Sequence, residues 1–254
     1  WQISVHLLNS MSRSKLTPNT ISYSAAISSC EKAGQWQLAT YLFSTMAEAR
    51  LVDTIAFSAT ISSCEKSAQW QLALQLFAAM PHASILPNLI TYNAAISSCA
   101  KEGHWPLALR LFHEMHRIHV SADLISYTAA ISSCETAGQW PLALHLFSGM
   151  QEAGLQANTI SYNATIGSCL KGEQWQKAAH LFNSQPKDQP SESRVSRTLA
   201  LESVYGKAMT LGCGMLRTKG FDENGNCWPA PPRLLFQDLS PKLLAIAVRC
   251  WLSR

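Results

Sequence analysis

The 254-residue sequence predicts an all-α fold, an α-solenoid of stacked helix-turn-helix hairpins with a 35-residue period. Three observations carry that prediction. The stretch "TISYSAAISSCEKAGQW" at Thr20 returns with few changes from Thr54, Leu89, Leu124 and Thr159, and repetition at such a period marks a solenoid. Apolar residues inside each copy are spaced by three and four, which gathers them on one face of a helix. Each copy also carries helix punctuation at fixed places, Asp or Asn in front and, in most copies, Gly in the middle.

The elements follow in chain order. Residues 1–19 read as the second helix of a partial repeat, because Trp1 precedes Trp36 by one period. Five repeats come next, at 20–53, 54–88, 89–123, 124–158 and 159–193. The first is one residue short at its "AEARLVD" linker, where loop length is cheapest to vary. In that copy Tyr23, Ile27 and Cys30 form the stripe of the first helix, and Trp36, Ala39, Leu42, Phe43 and Met46 that of the second. Asn19, Asp53, Asn88, Asp123 and Asn158 stand where an N-cap belongs, since their side-chain oxygens accept orphan backbone N–H groups. Gly34, Gly103 and Gly138 suit the C-cap between the helices, and Pro106 and Pro141 suit a first helical turn. Neither helix hides its apolar face alone, so neighbours must stack. After the "SQPKDQPSESR" linker the pattern dissolves, and residues 194–254 read as a degenerate extension. Its "SPKLLAIAVRCWLSR" segment suits either a helix capping the stack or an extension without function.

Composition narrows the function classes. Hydrophobic residues at 47% allow a core, and the net charge of +4 suits a polyanionic partner without demanding one. No run approaches 18 apolar residues, so no membrane span is expected. Cys30, Cys64, Cys99, Cys134 and Cys169 are spaced 34, 35, 35 and 35 apart. Equivalent residues on stacked helices sit roughly 8–10 Å apart, too far for a disulfide. They are expected to be buried thiols in a reducing compartment. No C-x-x-C, H-x-E, G-x-S-x-G or phosphate-loop motif occurs. His113, His116 and His119 are spaced by three, but His119 falls past the helix, so they read as surface histidines. No catalytic residue, metal or cofactor is expected, and the chain does not read as an enzyme.

The stretch "ISYSAAISSCEKAGQWQLATYLFSTM" resembles the pentatricopeptide repeat, in its P-class-like form. The tyrosine at the fourth position, the "LF-x-x-M" ending and the linker Leu86-Pro87-Asn88 carry the likeness, which runs from residue 1 to about 185. Departures lie in the linkers, where only Pro18 and Pro87 keep the proline and Val52, Ala122 and Ala157 replace it. A tryptophan opening each second helix is another. The resemblance implies a right-handed superhelix that binds single-stranded RNA along its first helices, one base per repeat. It further implies work in chloroplast or mitochondrial RNA processing, stabilisation, splicing or editing, alongside other RNA-processing proteins. A tetratricopeptide-like scaffold that binds peptides is the alternative.

The candidate binding residues sit at positions two, five, nine and thirteen of each repeat. They are expected on the free face of the first helix, opposite the packed stripe. Position two is Ile21, Ile55, Ile90, Ile125 and Ile160. On the residues alone these serve equally as contacts to the adjacent repeat; the resemblance implies that they sandwich bases. Position five varies among small polar residues, Ser24, Ser58, Asn93, Thr128 and Asn163, of the kind that hydrogen-bond a Watson–Crick edge. The resemblance pairs them with the last residue of the repeat, Asp53, Asn88, Asp123 and Asn158. Its code then gives G for Ser24 with Asp53, A for Ser58 with Asn88, U for Asn93 with Asp123 and A for Thr128 with Asn158. Asn163 with Ser193 gives C, so the expected target is 5′-GAUA(C)-3′. Lys32, Lys66, Lys101 and Lys171 occupy position thirteen, where Thr136 is the exception. They suit one phosphate per nucleotide, or equally the negative end of the helix dipole.

Overall fold

The computed structural model describes residues 1–185. Within them lie eleven α-helices and no strand. The extension read at 194–254, and Ser193, lie outside the described residues. Helix α1 (Gln2–Arg13) is the half-hairpin at the start. Four hairpins follow: α2 (Thr20–Lys32) with α3 (Trp36–Glu48), α4 (Thr54–Lys66) with α5 (Trp70–Ala79), α6 (Leu89–Lys101) with α7 (Trp105–Arg117), and α8 (Leu124–Thr136) with α9 (Trp140–Glu152). The fifth is α10 (Thr159–Lys171) with α11 (Trp175–Ser184). A short 3₁₀ turn, Pro81–Ala83, follows α5.

Why each helix starts and stops where it does is visible in its hydrogen bonds. Asn19 Oδ1 accepts from Ser22 N at 3.0 Å, Asp53 Oδ1 from Ala56 N at 2.7 Å, and Asn88, Asp123 and Asn158 do the same one repeat further each time. At the far end the amide of Gln35 reaches back to the Cys30 carbonyl at 2.9 Å while Gly34 N bonds Glu31 O, the 6→1 and 5→2 pair of a Schellman turn. Second helices close likewise, with Leu51 N on Met46 O, Val120 N on Met115 O and Leu155 N on Met150 O. Every such turn needs a left-handed residue, yet glycine is not always there. Gly34 has φ 69°, whereas Ala68 takes φ 58° and Glu173 φ 59° at the equivalent place. In the fifth repeat the glycine is displaced by one, to Gly172, where a Cβ would run into the Trp140 ring. Replacing Ala68 with glycine should therefore stabilise the protein by about 0.5–1 kcal/mol, the left-handed strain outweighing the added freedom of the unfolded chain. An unchanged urea midpoint would contradict this.

The helices pack in two layers. α2, α4, α6, α8 and α10 lie side by side, and each of α3, α5, α7 and α9 rests on its own first helix and on the next one. Second helices make no comparable contact with one another, so the stack is splayed on their side and the first helices line the inside of the curve. Ile27, Ile61, Ile96, Ile131 and Ile166 are buried between the layers, together with Ala39, Ala73, Ala108 and Ala143 and the methionines Met46, Met80, Met115 and Met150. The fourth-position aromatic has a specific task. Phe43 meets Phe57, Phe77 meets Tyr92, Phe112 meets Tyr127 and Phe147 meets Tyr162, edge to face at 4.7–4.9 Å. Each pair joins one hairpin to the next and contributes about 0.5–1.5 kcal/mol beyond area burial. The five cysteines of the repeats are buried and free. Burial pushes Cys64, Cys99 and Cys169 up to about 11, so these thiols are neutral and inert as nucleophiles.

Candidate nucleic-acid interface

The expected binding residues divide into three groups on the inner layer. Ile21, Ile55, Ile90, Ile125 and Ile160 project from successive first helices and are 58–76% exposed. Most of each aliphatic side chain is therefore left to solvent, in a regular row along the inner layer.

Position five departs from the expectation of a free surface. Ser24, Ser58 and Asn93 are only 5–9% exposed, and Thr128 and Asn163 are half-buried. The reason is the close side-by-side packing of first helices, which brings residue five of one repeat against the cap of the next. The last residues, Asp53, Asn88, Asp123 and Asn158, are half-buried beside them while capping α4, α6, α8 and α10. Two of the expected pairs touch. Ser24 Oγ donates to Asp53 Oδ1 at 3.1 Å, and Asn93 Nδ2 donates to Asp123 Oδ1 at 3.1 Å. The other two hydroxyls turn back into their own helix: Ser58 Oγ donates to Thr54 O at 2.7 Å and Thr128 Oγ1 to Leu124 O at 2.6 Å. Burial alone would favour the protonated form of Asp123. Hydrogen bonds from Ser126, Asn93 and Ile125 outweigh that and hold its carboxyl below the usual carboxylate range.

The third group is exposed, but not idle. Lys66 Nζ lies 2.8 Å from Glu31 Oε1, and Lys101 Nζ lies 3.0 Å from Glu65 Oε1, each pair bridging adjacent repeats. Burial raises the pKa of Glu135, and the charge of Lys171 opposes the rise. Both partners change together at the one junction without charges, where Ala100 faces the repeat of Thr136. Lys32 is exposed at the first repeat. A phosphate would have to draw Lys66 and Lys101 away from their glutamates, pairs that at such exposure contribute only about 0–1 kcal/mol. Nothing in the sequence marks this cross-repeat pairing, since Glu31 stands next to Lys32 and a whole repeat away from Lys66. His113 and His116 lie exposed on α7 and His119 beyond it. Among the described residues no group of three His, Cys, Asp or Glu is placed to hold a metal ion, and no helix is long and apolar enough to cross a membrane.

An α-solenoid of two-helix units, with small polar sockets at each seam of its inner layer, places the chain among the helical-repeat proteins. Family profiles narrow this further. One described as PPR repeat matches residues 21–51 and 125–155, one described as pentatricopeptide repeat domain matches 51–102, and one described as PPR repeat family matches 87–135. Together they run unbroken over residues 21–155, just over half the sequence. The chain belongs to the pentatricopeptide repeat family.

Solved structures share the fold. The maize pentatricopeptide repeat protein PPR10 in complex with an 18-nt psaJ RNA element superposes with a TM-score of 0.56 at 17% identity, over 81% of this chain and 29% of that one. The PPR domain of Arabidopsis thaliana protein-only RNase P 1, in complex with tRNA, gives 0.59 at 14% identity over 70% of this chain and 94% of that one. Nuclear proteinaceous RNase P 2 from A. thaliana gives 0.63 at 15% identity, over 83% and 49%. At such identities the likeness is one of fold. This chain spans less than a third of PPR10. No curated protein matches the sequence significantly.

Proposed function

We propose that the chain binds single-stranded RNA sequence-selectively, one base per repeat, and that the target contains 5′-GAUA-3′, with C to follow. The observation that carries this reading is the hydrogen-bond polarity of the four complete sockets. A hydroxyl has one hydrogen to give, a carboxylate has none, and an amide has two on its nitrogen.

Ser24 spends its hydrogen on Asp53, so the first socket offers acceptors only. That suits the adjacent N1–H and N2–H donors of guanine. In the second socket Ser58 spends its hydrogen on Thr54 O, and Asn88 spends Oδ1 on Thr91 N. What remains is an acceptor at position five and an N–H donor at the last position. The fourth socket repeats the arrangement with Thr128 on Leu124 O and Asn158 on Ser161 N. In the third socket the polarity is reversed, with the amide nitrogen of Asn93 as the donor at five and the Asp123 carboxylate as the acceptor at the last position. Adenine and uracil differ in the same way, N6–H and N1 on one edge, O4 and N3–H on the other. A socket and its mirror therefore select A and U.

Isoleucines flanking each socket give the base an apolar platform above and below, and the cost of exposing them in free protein is recovered when a base covers them. No bond-making chemistry is part of the proposal. The same reading extends to an organellar transcript as the target, with processing, stabilisation, splicing or editing as its outcome; fractionation of the native protein away from organelles would remove that part.

The direct test is equilibrium binding to a single strand containing GAUAC, to a permuted strand and to the matching duplex. Preference for the first supports the proposal, whereas equal binding to all three, or none, rejects it. A single-site version is sharper. Asn93→Thr should convert the third socket to an acceptor-only one and move its preference from U to G by about tenfold, since one satisfied bidentate contact discriminates by roughly 1–3 kcal/mol. Selection from a randomised pool reads this directly.

A further inference from the structure

The polarity of the third socket depends on which way the Asn93 amide points, and one residue outside the pair helps to settle that. Ser126, third in the following repeat and wholly buried, places Oγ 2.6 Å from Asn93 Oδ1 and 2.9 Å from Asp123 Oδ1. Its single hydrogen can serve only one of them. Asp123 Oδ1 already accepts from Ser126 N at 2.9 Å and from Asn93 Nδ2 at 3.1 Å, so the atom in need is Asn93 Oδ1. With that oxygen held inside, the second hydrogen of Nδ2 is the group left to face a base.

Other third-position residues do not reach across. Thr91 Oγ1 and Ser161 Oγ donate to the carbonyls of Asn88 and Asn158, within their own helix caps. Ala56 has no hydroxyl, and the socket before it needs none, because Ser24 bonds Asp53 unaided. Asn163 makes the complementary case. It is the other fifth-position asparagine, and among the described residues its Oδ1 is buried without a hydrogen-bond partner. An amide at this place therefore needs a donor that the asparagine's own repeat does not provide.

We propose that Ser126 is a positioning residue for base selection at the third socket, acting through Asn93, so that readout there takes three residues from two repeats. The proposal rests on the RNA-binding reading above. Without Ser126 the buried oxygen loses its donor, the amide becomes free to turn, and an outward oxygen accepts from N4–H of cytosine as readily as the nitrogen donates to O4 of uracil.

The test uses the full chain and strands containing GAUAC or GACAC. Ser126→Ala should lower the U-over-C preference about tenfold, while Ser126→Thr, which keeps the hydroxyl, should retain it. Ser161→Ala removes a hydroxyl from the same position after Thr128 and should leave the preference for A at the fourth base unchanged. In an Asn93→Thr background, where no amide is left for Ser126 to orient, Ser126→Ala should have no effect on binding to GAGAC. Full U-over-C selectivity in Ser126→Ala, or an equal loss in the Asn93→Thr background, overturns the proposal. If the unaltered chain does not discriminate GAUAC from the permuted strand, it is the RNA-binding reading that fails, whatever Ser126 does.

Discussion

Truncating Ile96 to alanine is expected to cost about 2–5 kcal/mol of stability. Ile96 sits in the middle of α6 with no exposed surface, between the two helical layers. Removing its outer carbons forfeits their burial and leaves a cavity that the rigid hairpins on either side cannot collapse into. In a stack where each unit contacts only its neighbours, a weak central unit also loosens the coupling between the two ends. Urea unfolding followed by circular dichroism should show a lower midpoint and a broader transition. Ile90→Ala, on the same helix, provides the contrast: its side chain is 58% exposed, so its loss should change stability by no more than about 0.5 kcal/mol. Equal effects from the two would mean that the assignment of faces on α6 is wrong.

The second large effect is on binding. Replacing Ile90, Ile125 and Ile160 together with alanine is expected to weaken binding to GAUAC-containing RNA about 100-fold. Each truncation removes a few tens of Å² of apolar contact with a base, or about 1 kcal/mol, and three such losses approach 3 kcal/mol. Folding should be unaffected, because these side chains touch little within the protein. Loss of stability with binding intact would assign the isoleucines to packing between repeats. The two experiments together dissect α6: one tests the face that supports the fold, the other the face proposed to meet RNA.

Much of this architecture is legible in the sequence because its causes are local or periodic. Asp and Asn at fixed intervals start helices by capping them, and the positions of Tyr23, Ile27 and Cys30 follow from helical spacing. What resisted reading depends on the distance between neighbouring first helices. Ser24 and Asn93 looked like free surface, since a helical wheel knows nothing of the adjacent helix that closes over them. The hydrogen bond of Ser58 to its own helix and that of Ser24 to Asp53 involve the same residue type, and only the cap opposite tells them apart. Ser126 is hidden behind an ordinary role, because a third-position hydroxyl is what a capping box provides. The one hint was Ala56, the exception that follows the socket needing no help. Left-handed Ala68 and Glu173 were hidden too, for the turn forces a conformation that their residue types do not announce.

The caps also set a limit on vocabulary. Asp53, Asn88, Asp123 and Asn158 each hold the first turn of the next helix together while bordering a socket. A residue that cannot cap forfeits about 1 kcal/mol of helix stability before it meets any ligand. The letters available at that position are thus chosen first by folding, and a designer who rewrites these repeats inherits a short alphabet. Within it, exchanging Asp for Asn preserves the cap and changes only what the seam offers, so under the proposed reading new specificities can be written without rebuilding the stack.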